Sequence, residues 1–285
     1  KTKTLTYRVA RLIEDGIKPE NILLLTFTKK AAAEMLSRAT IVLDNRCEKV
    51  AGGTFHSFAN IILRKYSKLL GLKNNFTIMD RADCEDVINH IVVQLFPKKE
   101  KRFPKKSTLL DIYSKSINKV TPTKQIIADE FPQFAHCEDK IIEVHKAYVA
   151  YKRENSVLDY DDLLLYIKLL LENNDGLRKR LSNEYKYIMV DEYQDTNYAQ
   201  HSIVLQLTKE SQRVCVVGDD AQSIYSFRGA DIDNILYFTK IYPNTKVFKL
   251  EQNYRSTQTI VCAANSLIAK NERQIRKEVF SEKEK

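Results

Sequence analysis

Short apolar runs and longer amphipathic stretches alternate at both ends of this 285-residue chain. Residues 22–26, 50–54, 187–191, 213–218 and 245–250 are too short for buried helices and apolar enough for buried strands. Between them lie helical patterns. The first carries Leu5, Val9, Leu12 and Ile13 and is closed by Gly16; others cover 31–43, 55–70 with a stop at Gly71, 163–171, a stretch around 200–207, and 257–269. Strands alternating with helices predict an α/β domain built on a parallel sheet.

That alternation stops from about residue 72 to residue 154. Helical patterns take over at 82–96, 109–120 and 138–153, interrupted by Pro97, Pro104, Pro122 and Pro132. This part reads as an all-helical subdomain inserted into the α/β domain. Its basic run, residues 98–106, suits either a phosphate backbone or plain solvation. The expected division is 1–71 and 158–276 for the α/β domain, 72–157 for the insertion, and 277–285 for the start of a further domain.

In an open α/β sheet, ligands bind at the carboxyl ends of the strands. The run 187–190 ends on Asp191 and Glu192. Neighbouring strand side chains point opposite ways, so two adjacent acids there can do different work. Asp191 suits holding Mg²⁺ bound to nucleotide phosphates, and Glu192 suits polarising an attacking water. The plainer alternative is a solvated loop, the usual place for Asp and Glu. Lys1-Thr2, opening the first helix, fits the end of a phosphate-binding G-x-x-x-x-G-K-[ST] loop, whose glycines are not in this sequence.

Other strand ends carry related chemistry. The run 213–218 leads into a loop bearing Gln222, Tyr225 and Arg228, and a neutral amide beside a nucleotide suits sensing a γ-phosphate. Asn253-Tyr254-Arg255-Ser256 follows 245–250, and an Arg there suits charge developing on a transferred phosphoryl group. Phe27-Thr28-Lys29-Lys30 and Phe55-His56-Ser57-Phe58 also follow strands, which suits a groove where bases stack on aromatics. For Phe55 and Phe58 core packing is the competing reading, and for His56 a structural role. Asp159-Tyr160-Asp161-Asp162 places negative charge at a helix start, where it acts as a cap.

Charge and cysteines narrow the picture. With 46 Lys+Arg against 37 Asp+Glu the chain carries +9, which favours a polyanionic partner or simply supplies solubility. Five scattered cysteines show neither metal nor redox spacing and read as reduced packing residues of a cytoplasmic protein. No run is long and apolar enough to span a bilayer, and no signal peptide is present. The first residue is Lys rather than Met, so the chain is expected to be a piece of something longer.

Taken together, these segments closely resemble the UvrD/Rep/PcrA-type superfamily-1 DNA helicases. Lys1-Thr2 looks like the end of motif I, and Thr26-Phe27-Thr28-Lys29-Lys30-Ala31-Ala32 like motif Ia, followed by Gly53-Thr54-Phe55-His56-Ser57-Phe58. Asp159-Tyr160-Asp161-Asp162-Leu163 resembles the Asp-aromatic-Asp-Asp-Leu segment of the family. Motif II is similar to the stretch from Asp191 to Asn197, motif III to Gly218 through Ala230, and motif IV to Asn253 through Ser256.

The resemblance implies a RecA-like P-loop NTPase domain with a helical insertion, driven by ATP and Mg²⁺. It implies phosphate and Mg²⁺ contacts from Lys1 and Thr2, Mg²⁺ binding by Asp191, and Glu192 as the base for water. Gln222 then corresponds to the γ-phosphate sensor, Arg255 to the first arginine finger and Tyr254 to the residue stacked on adenine. Thr28, Phe55, His56 and Tyr225 fall where the family contacts single-stranded DNA. The implied activity is 3′-to-5′ translocation and unwinding at single-strand/duplex junctions, in repair or replication.

The sequence departs from the family by omission. An upstream adenine-reading motif, the phosphate-loop glycines, motifs V and VI, and most of a second motor domain are not among these residues, so the chain by itself is expected to be inactive. Two other functions compete: the motor part of an AddA/RecB-type helicase–nuclease, and a DNA-binding module without ATPase activity.

Overall fold

The computed structural model describes residues 1–73, 75–98 and 102–283. Among the described residues six short strands appear in chain order: β1 (Ile22–Thr26), β2 (Ala51–Thr54), β3 (Thr77–Ile78), β4 (Val157–Leu158), β5 (Tyr187–Val190) and β6 (Val214–Val216). Four of them form one parallel sheet in the order β2-β1-β5-β6. Its register pairs Leu25 with both Gly53 and Val190, and Val190 with Val216. The chain is therefore α/β with a parallel sheet flanked by helices, in keeping with a RecA-like domain.

Strand β1 is buried along its whole length, and its pleat explains why. Leu23 and Leu25 face one core while Ile22 and Leu24 face another, because successive side chains leave a strand on opposite sides. The second core is closed by α1 (Thr2–Glu14), through Leu5, Val9, Leu12 and Ile13, and by α2 (Lys29–Val42), through Met35 and Ala39. The first is covered by α3 (Phe55–Tyr66) and by helices from later in the chain. Each fully buried Leu or Ile contributes about 1.5–3 kcal/mol, so this two-sided burial holds the strand ends in fixed positions.

Between β3 and β4 the chain is helical: α4 (Arg81–Leu95), α5 (Lys106–Asn118), α6 (Thr123–Glu130) and α7 (Glu138–Asn155). Asp80 and Asp83 close a reciprocal capping box at the start of α4. Ile88, Leu109, Ile112, Ile127, Ile141 and Val144 meet in a hydrophobic cluster of their own, apart from both faces of the sheet. β3 and β4 pair in parallel at the point where the chain enters and leaves this cluster. Of the basic run at 98–106, residues 99–101 lie outside the described residues, and Lys106 is paired with Asp86.

After β4 come α8 (Tyr160–Asn173), α9 (Asp175–Glu184), α10 (Tyr198–Thr208), the short α11 (Asp233–Leu236) and α12 (Phe238–Ile241), and α13 (Gln258–Ile268). α8 and α10 carry Leu163, Ile167, Leu171, Ile203 and Leu207 into the first core. Besides the one-turn α11 and α12, two longer helices escape the sequence pattern. Pro122 and Pro132 suggest a break, yet Pro122 is the N-cap of α6. α9 offers only Leu177 and Leu181 as apolar anchors in ten mostly polar residues.

The expected strand at 245–250 is not one. The segment runs irregular and exposed, with Phe248 at 81% and Leu250 at 56%. A strand needs the backbone of a neighbour, and no ladder forms on this segment; β6 is the sheet's edge. Among the described residues no helix is long and apolar enough to cross a membrane.

Candidate active site and nucleic-acid face

The site is built where β5 ends. The Asp191 N–H still donates to Leu25 O on β1 at 2.9 Å, and the Tyr193 N–H donates to Val217 O beyond β6 at 3.0 Å. Glu192, between them, adopts a left-handed backbone (φ 49°, ψ 49°), rare for a residue with a Cβ and costing on the order of 1–2 kcal/mol. The kink is held from both sides by the sheet. It sends the two neighbouring carboxylates into different surroundings.

Asp191 is buried at 5% exposure; its Oδ2 accepts from Thr2 Oγ1 at 3.3 Å, and its Oδ1 is buried without a hydrogen-bond partner. Glu192 Oε2 lies 3.2 Å from the Lys1 ammonium. The contacts come from Lys1, the N-cap of α1, and from Thr2, its first residue, and the helix N-terminus brings partial positive charge to the strand ends. Burial pushes the Asp191 carboxyl above the ordinary range, and the Glu192 charge adds to the effect. The structure thus brings Lys1, Thr2, Asp191 and Glu192 together.

A fifth side chain, Gln194, organises the site although sequence reasoning passes over it. It is 1% exposed, and its amide donates to Glu192 Oε2 and to Asp195 Oδ2, both at 3.0 Å. Its Oε1 accepts from the Asp219 N–H at 2.9 Å, which orients the amide. Gly218 makes room: a Cβ there would stand 2.5 Å from Ile235 Cδ1 and 2.7 Å from Gln194 Oε1. Burial and the nearby Glu192 charge push Asp195 up to about 6.

The same network reaches Gln222. Its amide donates to Asp219 Oδ2 at 2.6 Å, while Lys277 bridges Asp219 and Asp220, the latter at 2.9 Å. Burial would raise the Asp219 carboxyl, but the Lys277 hydrogen bond and charge hold it below the ordinary range. Glu192 and Gln222 are therefore joined through Gln194 and Asp219. Lys277 lies 58 positions from Asp219, so no local pattern announces it.

A second surface lies on the loop beyond Gln222. The Tyr225 ring is 5.4 Å from Phe27 and 6.0 Å from Phe227, and the Arg228 guanidinium sits over both Tyr225 and Phe227 at 5.7 and 5.5 Å. Phe27 is 40% and Phe227 59% exposed. Thr28 stands beside this cluster in sequence, exposed, with its hydroxyl capping α2 at the Ala31 N–H. His56 is half-buried, edge-on to Tyr160 at 5.8 Å, and burial lowers its pKa. Phe55 is different. At 3% exposure it belongs to the first core, so its ring is closed to a base, and core packing accounts for it.

Tyr254 and Arg255 are exposed on the segment before α13. Tyr254 donates to Gln252 Oε1 and the Arg255 N–H to Asn253 Oδ1. Among the described residues no hydrogen bond or ion pair joins either side chain to Lys1, Thr2, Asp191, Glu192 or Gln222.

Residues 1–243 match the UvrD/REP helicase N-terminal domain. The chain is 40% identical over 287 residues to the ATP-dependent DNA helicase PcrA of Bacillus subtilis, covering 99% of this chain and 38% of that protein. The PcrA helicase of Staphylococcus aureus is 37% identical over 273 residues, covering 95% of this chain and 37% of the relative. That of Leuconostoc citreum is 37% identical over 284 residues, covering 99% and 37%. The chain thus spans a little over a third of the length of these relatives. It belongs to the UvrD/REP helicase family, and its first 243 residues correspond to the N-terminal domain of that family.

Proposed function

We propose that this chain carries the ATP-hydrolysing and strand-gripping part of a DNA helicase or translocase motor. Its track is single-stranded DNA, travelled 3′ to 5′, and its target the junction of single strand and duplex. Residues 1–71 and 158–276 are the motor domain, and 72–157 a helical insertion. One observation carries the reading: a single buried amide, Gln194, ties Glu192 to the loop that holds both Gln222 and Tyr225. Such a link lets a nucleotide on one side of the loop alter the grip on a base at the other.

The oxygen donors suit a hard divalent cation, since Asp191 Oδ1 is buried and unpartnered beside the Thr2 hydroxyl. Thr2 and Asp191 would hold Mg²⁺, which when bound neutralises phosphate charge. Lys1, now on Glu192, is placed to transfer its ammonium to the β/γ-phosphates, which frees Glu192 Oε2 to orient water. Gln194 keeps that carboxylate in position through the change. Gln222 would sense a γ-phosphate by giving it the amide that now donates to Asp219. Tyr254 and Arg255 have the chemistry to stack on adenine and to stabilise transferred charge, and they reach the nucleotide only if their segment moves.

On the DNA side, Tyr225, Phe27 and Phe227 supply stacking surface, and Thr28 and His56 supply polar contacts to the backbone. All five cysteines are free, which supports a reducing, cytoplasmic setting. The test is ATP turnover by the native protein with and without a single-stranded oligonucleotide, beside unwinding of duplexes with 3′ or 5′ tails. Stimulated turnover with unwinding of the 3′-tailed duplex supports the reading. Turnover indifferent to DNA overturns it.

A further inference from the structure

Asn118, the last residue of α5, belongs to the helical part of the chain, but its side chain also reaches beyond it. Its amide donates to Asp161 Oδ1 at 2.8 Å, at the start of α8, and to Ser114 O at 2.9 Å. Its Oδ1 accepts from Asn197 Nδ2 at 2.7 Å. Asn197 caps α10 directly after the Asp191–Thr196 stretch and bridges Ala230 on the far end of the Tyr225 loop. The Asp231 N–H donates to Thr196 O at 3.0 Å, closing the same junction.

Gly229 rests against this residue. It is buried, with φ at 85°, and a Cβ there would stand 2.8 Å from Asn118 Cβ and 3.2 Å from its carbonyl carbon and oxygen. Only a glycine combines that backbone with that approach. One side chain of the helical cluster therefore touches three things at once: the start of α8, the segment following the acidic pair, and the loop with Tyr225 and Arg228.

We propose that Asn118 is a positioning residue that registers the helical insertion on the two loops of the motor, so that a strand held at the Tyr225 face stimulates hydrolysis at Glu192. The inference rests on the motor reading above. Asn118 touches neither nucleotide nor base; it sets where the Tyr225 loop lies relative to Asn197. Its amide satisfies one donor–acceptor pattern only, since Asp161 must accept and Asn197 must donate.

The test uses Asn118→Asp, which puts a carboxylate against Asp161, and the exchange Asn118→Asp/Asp161→Asn. In the exchange, the new amide at 161 donates to the new carboxylate at 118, and Asn197 still donates to it. In the native protein, DNA-stimulated over basal ATP turnover should fall roughly fivefold or more in the single variant, the lower end of coupling between distinct sites. Basal turnover should stay near wild type, and the exchange should recover most of the ratio. A general loss of structure would lower basal turnover and stimulation together and would overturn the assignment. So would an unchanged ratio in a single variant whose wild type is stimulated, or a ratio the exchange leaves low. A wild type that DNA does not stimulate would instead remove the motor reading, and this role with it.

Discussion

Lys1 and Glu192 stand 191 positions apart in sequence, and their charges meet at 3.2 Å. On the proposed function, a nucleotide phosphate would take the Lys1 ammonium away from this carboxylate. Glu192→Gln keeps the shape and the Gln194 contact but cannot accept a proton. A positioned general base contributes about 10²–10⁴ in rate, so turnover should fall by at least that lower figure. ATP binding, followed with a fluorescent analogue, should stay within a few-fold of wild type. Near-normal turnover would remove Glu192 from the chemistry.

Gln222 sits between Asp219 and the loop that ends on Tyr225. Gln222→Ala should therefore lower DNA stimulation of hydrolysis more than it weakens nucleotide binding. The comparison needs turnover with and without a single strand, and a nucleotide titration. Equal losses in both would make Gln222 a simple binding residue.

The Phe27–Tyr225–Phe227 cluster predicts a stacking contribution to single-strand affinity. Tyr225→Ala should cost about 1–3 kcal/mol of binding, with the slope of log affinity against log salt unchanged. Arg228→Ala should flatten that slope by about one phosphate contact. Anisotropy titrations at several salt concentrations separate the two, and a changed slope in the Tyr225 variant would contradict a pure stacking role.

Lys152 is 4% exposed and reaches Asp159 at 2.6 Å and Asp162 at 2.7 Å, beneath the start of α8. Lys152→Met leaves two carboxylates buried without their cation. Breaking such a buried pair costs about 3–5 kcal/mol, so the thermal midpoint should drop by several degrees. An unchanged midpoint would mean that water reaches those acids.

Asp195 gives a pH signature. Its pKa is raised in the fold to about 6 by burial and by Glu192, so the folded chain binds the proton more tightly than the unfolded one. The resulting penalty is absent below the ordinary carboxylate range, grows between about pH 4 and 6, and is complete by pH 7. Asp195→Asn should thus raise stability at pH 7 by on the order of 1–2 kcal/mol and change little at pH 4. A variant less stable than wild type at pH 7 would reverse the sign and refute the burial argument.

The residues that the structure brings together at the end of β5 were partly legible, because strand ends announce themselves. A run such as 187–190 followed by two acids can be picked out without a partner, whereas Lys1-Thr2 alone is no motif and gains meaning only beside the other family-like segments. Gln194 had no such signal, since its acceptor role depends on Asp219, 25 positions away. Phe27 and Phe55 each follow a strand, yet one faces solvent and the other the core. Sequence spacing does not say which side of the strand end a helix will cover. The 245–250 run has strand composition but no neighbour, and pairing is not a property one segment can possess.

The β3–β4 pair gives the fold a further property. The two strands pair in parallel but are only two residues long, Ile78 beside Leu158 and Thr77 beside Val157, so the chain returns from its helical excursion close to where it departed. An excursion with neighbouring ends behaves like a cassette. A change of helix length within it should leave the carboxylates at the end of β5 in place, provided that the Asn118 amide keeps its contacts with Asp161 and Asn197.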